Sequence, residues 1–193
     1  EKRLDAEPLQ GHIGIGHTRW ATHGKPTENN AHPHATDRVA VVHNGIIENF
    51  RELRERLQKQ GAGFKTETDT EIVVHLVDSF LQKGVSPVEA VRAALSELRG
   101  AFALGFIFKG EDDLMIGARN GPPLAIGHGN GQMYLGSDAI ALGPFTDTIS
   151  YLEDGDWVVL TRKGATIYDK DNTIVQRDAL KHTASTALVD KAN

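Results

Sequence analysis

The spacing of apolar residues changes period along the chain, and each change predicts a different element. Residues 12–18 (HIGIGHT) put Ile13 and Ile15 at alternate positions, as in a half-buried strand. Residues 39–43 (VAVVH) form a short continuous apolar run that predicts a buried strand. Between these two lies a loop punctuated by Gly24, Pro26 and Pro33.

From residue 49 the period lengthens to that of helices. Residues 49–60 place Phe50, Leu53 and Leu57 on one face, and Gly61 stands where a left-handed C-terminal cap belongs. A second helix opens on Thr68-Asp69-Thr70-Glu71, a capping-box pattern, and runs to about Lys83. Its stripe is Ile72, Val73, Leu76, Val77, Phe80 and Leu81. A third has Ser86 as N-cap, Pro87 at the first helical position and Glu89 completing another capping box. Val88, Val91, Leu95 and Leu98 face inward, and Gly100 is expected to end it.

Strand-like segments follow at 101–108, 113–118, 123–128, 132–136, 149–152, 156–161, 165–169 and 173–177. Asp154-Gly155, Lys163-Gly164 and Asp171-Asn172 have the spacing of hairpin turns. Helices and strands are grouped in blocks, which predicts an α+β fold and not a doubly wound parallel sheet. Beyond about residue 179 the pattern fades. Residues 1–178 are therefore expected to form one domain and 179–193 a linker to another.

The length suits a single domain with a substantial core. A net charge of −5 with no basic stripe argues against a nucleic-acid or anionic-membrane surface. The longest strongly apolar run, AFALGFIF, is too short to span a bilayer, and no secretory signal pattern opens the chain. Cysteine is absent, which excludes disulfides, thiolate metal sites and a cysteine nucleophile within these residues and suits a cytoplasmic protein. Residue 1 is Glu, so the chain reads as a fragment of a longer protein.

Candidate chemistry concentrates between residues 12 and 43, which hold six of the nine histidines. None of them has the i, i+4 spacing of a helical zinc motif, and no recognisable ligand set surrounds His32-Pro33-His34. Polar loop histidines that hydrogen-bond backbone carbonyls are the simpler reading. Arg19 offers a planar fork for a carboxylate, or equally a surface ion pair. Asn44-Gly45 after a buried strand provides two donors suited to an oxyanion, or an ordinary turn. Asp69, in the first turn of a capped helix, can receive an ammonium group or complement the helix dipole. An arginine for a carboxylate and an aspartate for an ammonium are the two grips that hold a free amino acid. Paired oxyanion donors add attack on its carbonyl.

The blocks GHTRWATHG, NAHPH, VVHNGIIEN and TETDTE carry a specific resemblance. In order and spacing the chain resembles the glutaminase domains of hexosamine-forming class II glutamine amidotransferases. The likeness extends through RGAFALGFI, ARNGPPLAIG and YLGSDAIAL. It implies the N-terminal-nucleophile hydrolase fold, an αββα four-layer sandwich, here shortened at its N-terminus. Implied with it is conversion of fructose 6-phosphate and glutamine to glucosamine 6-phosphate and glutamate, by a homodimer when full-length, with no cofactor and no metal.

Residue by residue, the resemblance implies that Arg19 binds the α-carboxylate of glutamine and Asp69 its α-ammonium. Thr22 and His23 line the same pocket. Asn44 and Gly45 form the oxyanion hole, and Trp20 borders the path by which ammonia leaves for a sugar-isomerase domain. The family's nucleophile is an N-terminal cysteine, which this sequence lacks, so the fragment alone is expected to be inactive. Three alternatives remain open: the glutaminase domain of another class II amidotransferase, a non-catalytic glutamine-binding module, and a zinc hydrolase built on the histidines.

Overall fold

The computed structural model describes residue 7, residues 11–18 and residues 27–181. Among the described residues eleven strands, β1 (His34–Ala35), β2 (Val39–Ile47), β3 (Gly100–Phe108), β4 (Met115–Asn120), β5 (Ala125–His128), β6 (Met133–Gly136), β7 (Thr148–Tyr151), β8 (Trp157–Thr161), β9 (Gly164–Tyr168), β10 (Ile174–Val175) and β11 (Ala179–Lys181), build two sheets. The larger has the order β1-β2-β3-β4-β8-β9-β10 and the smaller β11-β7-β5-β6. Every pairing among the described residues is antiparallel.

Alternation along the strands decides which layer each side chain joins. Phe102, Leu104 and Phe106 of β3 pack with Ile116, Ala118 and Trp157 under the helices α1 (Phe50–Lys59), α2 (Thr70–Leu81) and α3 (Pro87–Glu97). Ala103, Val158 and Leu160 face the other way, meeting Ile126 and Leu135 of the smaller sheet. A β-carbon added at Gly117 would sit 2.8 Å from Leu135 Cδ2, so glycine there lets the two sheets approach. The outer face of the smaller sheet carries Ala125 and Ile149, covered by the one-turn α4 (Ala139–Leu142) through Leu142. The layers therefore run helix, sheet, sheet, helix.

The helices form as their patterns predict, with instructive differences at the ends. α1 closes in a Schellman arrangement: Ala62 N–H donates to Leu57 O and Gly61 N–H to Gln58 O, with Gly61 at φ +94°. At the start of α2, Thr68 Oγ1 accepts from Glu71 N–H at 3.4 Å, as a capping box requires. The Glu71 carboxylate, however, does not reach back to Thr68; it accepts from the N–H groups of Lys65 and Thr66 at 2.7 and 2.8 Å. It thereby pins the loop that leads into the helix. α2 ends at Leu81, two residues short of expectation. Ser86 caps α3 by accepting from Glu89 N–H, while the Glu89 carboxylate pairs with Arg92.

Four expectations change. Residues 12–18 form no ladder, although Ile13, Ile15 and His17 are half-buried and their neighbours exposed, so the alternation marks an extended segment laid on the protein without a described strand beside it. Gly100 does not terminate α3 but opens β3 at φ +125°. Asp154-Gly155 joins β7 to β8 and therefore crosses between sheets; it is not a hairpin. Finally, Ala179–Lys181 pairs with Thr148–Ser150 as β11, so ordered sheet continues three residues past the expected boundary.

Candidate active site

β2 is the backbone of the site. Asn44-Gly45 does not turn: the strand continues through it, with Asn44 opposite Ala103, Gly45 opposite Phe102 and Ile47 opposite Gly100. Turn propensity loses here because β3 offers an unbroken ladder partner on one side. The strain is absorbed by two glycines. Gly45 has φ +122°, and a β-carbon on it would lie 2.0 Å from Ala101 O. Gly100 answers from across the ladder: its β-carbon would lie 2.2 Å from Ile46 O. Side chains at these positions are incompatible with the spacing of the two strands.

On its other edge β2 is mostly open. β1 pairs only with Ala40 and Val41, leaving the stretch from residue 43 without a neighbouring strand among the described residues. Asp69 reaches that edge from the N-terminus of α2. Its Oδ2 accepts from Ile47 N–H at 2.8 Å, and the residue is 3% exposed. The Asp69 side chain makes no cap bond to its own helix, so its charge is aimed at β2. Its Oδ1 accepts no hydrogen bond among the described residues.

Histidine rings line the same edge. His17 Nε2 lies 2.6 Å from Asn44 Oδ1. The His17 ring stacks on His32 with centroids 4.4 Å apart, and His32 meets His34 edge-on at 5.1 Å. His34 Nε2 contacts Thr68 Oγ1 at 3.0 Å, and His43 Nδ1 contacts Thr70 Oγ1 at 2.9 Å. The cluster joins β2 to the cap of α2 through rings and threonine hydroxyls. Among the described residues no group of three or more His, Cys, Asp or Glu side chains is arranged to hold a metal ion.

Of the residues singled out in the sequence, Asn44 and Gly45 lie on β2 and Asp69 bonds to the same strand at Ile47. Arg19, Trp20, Thr22 and His23 lie outside the described residues. The contact of His17 with Asn44 escaped the sequence reading. The alternation Ile13, Ile15, His17 was the available signal, since it puts the ring on the inward face. A cleft of about 750 Å³ lies elsewhere. It is bounded by Arg38, Glu71, His75 and Asp78 and contains none of Asn44, Gly45 or Asp69.

A sequence model described as a glutamine amidotransferase domain matches residues 17–144. The chain belongs to the glutamine amidotransferase family. Across all of its residues it is 79% identical to a glutamine–fructose-6-phosphate aminotransferase (isomerizing) of Bradyrhizobium diazoefficiens, and 66% identical to the enzyme of that name from Brucella abortus. It spans 32% of the length of each. Among solved structures it is similar to glutamine phosphoribosylpyrophosphate amidotransferase from B. subtilis, with a TM-score of 0.64 and 26% identity. That match covers 82% of this chain and 35% of the other. The allosteric regulatory enzyme of purine biosynthesis gives a TM-score of 0.62 at 28% identity over 79% of this chain and 34% of the other. The α+β sandwich is that of the class II, N-terminal-nucleophile amidotransferases. No helix among the described residues is long and apolar enough to cross a membrane.

Proposed function

We propose that this domain binds glutamine along the open edge of β2 and hydrolyses its side-chain amide, supplying ammonia for the amination of fructose 6-phosphate to glucosamine 6-phosphate elsewhere in a longer polypeptide. The observation that carries the reading is the bond from Ile47 N–H to Asp69, because it sets a carboxylate three strand residues from Asn44. Three residues of strand span about 10 Å. Glutamine measures about 5 Å from its α-nitrogen to its amide carbon. Hydrogen bonds of about 2.9 Å, one to the α-nitrogen and one to the amide oxygen about 1.2 Å beyond that carbon, bring the total to about 11–12 Å. The two lengths agree to within about 2 Å, which supports binding of glutamine between the two groups.

In this reading Asp69 Oδ1 receives the α-ammonium while Arg19 grips the α-carboxylate, with Thr22 and His23 alongside. In an antiparallel ladder alternate residues bond to alternate sides. Gly45 shares the parity of Ile47, which directs its N–H to the open edge. Together with the Asn44 amide it supplies two donors for the oxygen that becomes negative when the amide carbon turns tetrahedral. A thiolate attacks that carbon, the C–N bond breaks with a proton delivered to the departing nitrogen, and water then cleaves the thioester to glutamate. The 193 residues contain no cysteine, so the thiolate is not theirs, and the chain alone is expected to release no glutamate from glutamine. Trp20 flanks the ammonia path. The hexosamine assignment is favoured by identity to the aminotransferases far above that to the purine-pathway enzymes. A cytoplasmic homodimer is the corresponding full-length form.

The test is Asn44→Ala in the complete product of the gene. Turnover of glutamine is expected to fall by roughly 10²- to 10³-fold with KM little changed, as for loss of one oxyanion donor. Arg19→Ala is expected to raise KM instead, because that contact exists before the transition state. Full turnover in Asn44→Ala would remove Asn44 from the mechanism.

A further inference from the structure

A side-chain amide presents an oxygen at one end and an NH₂ at the other, in nearly the same shape. Only the NH₂ end can stabilise an oxyanion; the oxygen end repels it. Nothing in the strand register of Asn44 chooses between the two, since register fixes the direction of the β-carbon and leaves the last torsion free. The choice is made by whatever binds the far end of the amide.

We propose that His17 is a positioning residue that sets the Asn44 amide with its NH₂ toward the substrate, a role that rests on the oxyanion reading above. The His17 Nε2–H donates to Asn44 Oδ1 across 2.6 Å. An imidazole without a proton on Nε2 cannot make that bond to a carbonyl oxygen, so the arrangement also fixes which nitrogen of His17 carries hydrogen. Reversing the amide would lose this bond and set the Asn44 NH₂ against the Nε2–H, donor against donor. The bond favours this orientation, and the repulsion in the reversed form adds to the bias.

The ring itself is held. His17 stacks on His32, His32 meets His34, and His34 contacts the Thr68 hydroxyl that caps α2. Asp69 is the next residue after Thr68. The orientation of the oxyanion donor and the position of the ammonium acceptor are thus tied through one line of three rings. A catalytic donor is useful only if held within a fraction of an ångström before the reaction starts. This line of contacts supplies that rigidity to a side chain on the open edge of a strand.

The experiment uses the complete product of the gene and steady-state glutamine hydrolysis. His17→Phe keeps a flat ring for the stack and removes the donor; His17→Gln keeps a donor near the position of Nε2. We expect His17→Phe to lower kcat roughly tenfold to a hundredfold with KM for glutamine within about twofold, and His17→Gln to recover most of the loss. In an Asn44→Ala background His17→Phe is expected to add nothing, because its partner is gone. Wild-type kcat in His17→Phe beside an impaired Asn44→Ala would overturn the positioning role alone. So would an undiminished His17→Phe effect in the double variant, or a loss confined to KM. Wild-type kcat in Asn44→Ala would overturn the oxyanion reading itself, and this inference with it. If His17→Phe does not fold, His17→Leu takes its place as the variant without a donor: a kcat loss that His17→Gln recovers supports the role, and wild-type kcat in His17→Leu refutes it.

Discussion

Gly45→Ala isolates the close approach on which the β2–β3 pair depends. The alanine would have to sit at φ +122°, a conformation costing an L-residue about 1–3 kcal/mol. Its β-carbon would also lie 2.0 Å from Ala101 O, more than 1 Å inside ordinary contact. Relief requires β2 and β3 to part locally, next to the Asn44–Ala103 and Ile46–Ala101 pairs. Weakening two ladder bonds adds about 2 kcal/mol. The sum is about 3–5 kcal/mol, a large share of the roughly 5–15 kcal/mol that holds a domain together. Gly61→Ala is the control, because Gly61 also has positive φ, at +94°, but faces open space. It should cost only about 1 kcal/mol. With a urea slope of about 2 kcal/mol/M, the midpoints should fall by about 2 M for Gly45→Ala and about 0.5 M for Gly61→Ala. Equal shifts in the two variants, measured by circular dichroism on this chain, would refute the argument from strand spacing.

Burial holds the His75 imidazole below its ordinary value of 6.5, against the opposing pull of Glu71 and Asp78, and burial alone does the same to His128. The unfolded chain therefore takes up these protons first. The associated stability is complete above pH 6.5 and is lost as pH falls from there through the folded values. Urea midpoints should decline across that interval, and His75→Gln should flatten the decline; an unchanged slope in the variant would exclude His75 as a source. Asp156, 2% exposed, accepts two bonds from Arg177 and one from Glu153 N–H. Asp156→Ala should destabilise by about 3 kcal/mol in chemical denaturation, and a cost below about 1 kcal/mol would show that the pair is dispensable.

The helices were legible in the sequence because their information is local. Apolar residues at helical spacing, Ser86 and Thr68 as caps and Gly61 as terminator suffice to specify α1 to α3 within two residues or so. Most strands of the larger sheet were legible too, as short apolar runs bounded by turn residues. The local signals failed where a neighbour decided the outcome. Asn44-Gly45 has a turn's composition but runs straight because β3 pairs across it. Residues 12–18 alternate like a strand but join no described ladder. Asp154-Gly155 turns between two sheets, and no spacing rule distinguishes that from a hairpin.

The site divides along the same line. Residue types and motif order alone named Asn44, Gly45 and Asp69 and the amino-acid chemistry they suit. That Asp69 would reach across to Ile47 N–H, and that a histidine 27 positions earlier would hold the Asn44 amide, depended on the packing of α2 and of the segment before it against one edge of β2. Sequence patterns carry short-range periodicity and capping; the orientation of a side chain is set by partners far away in the chain, and those partners meet only once the layers have closed.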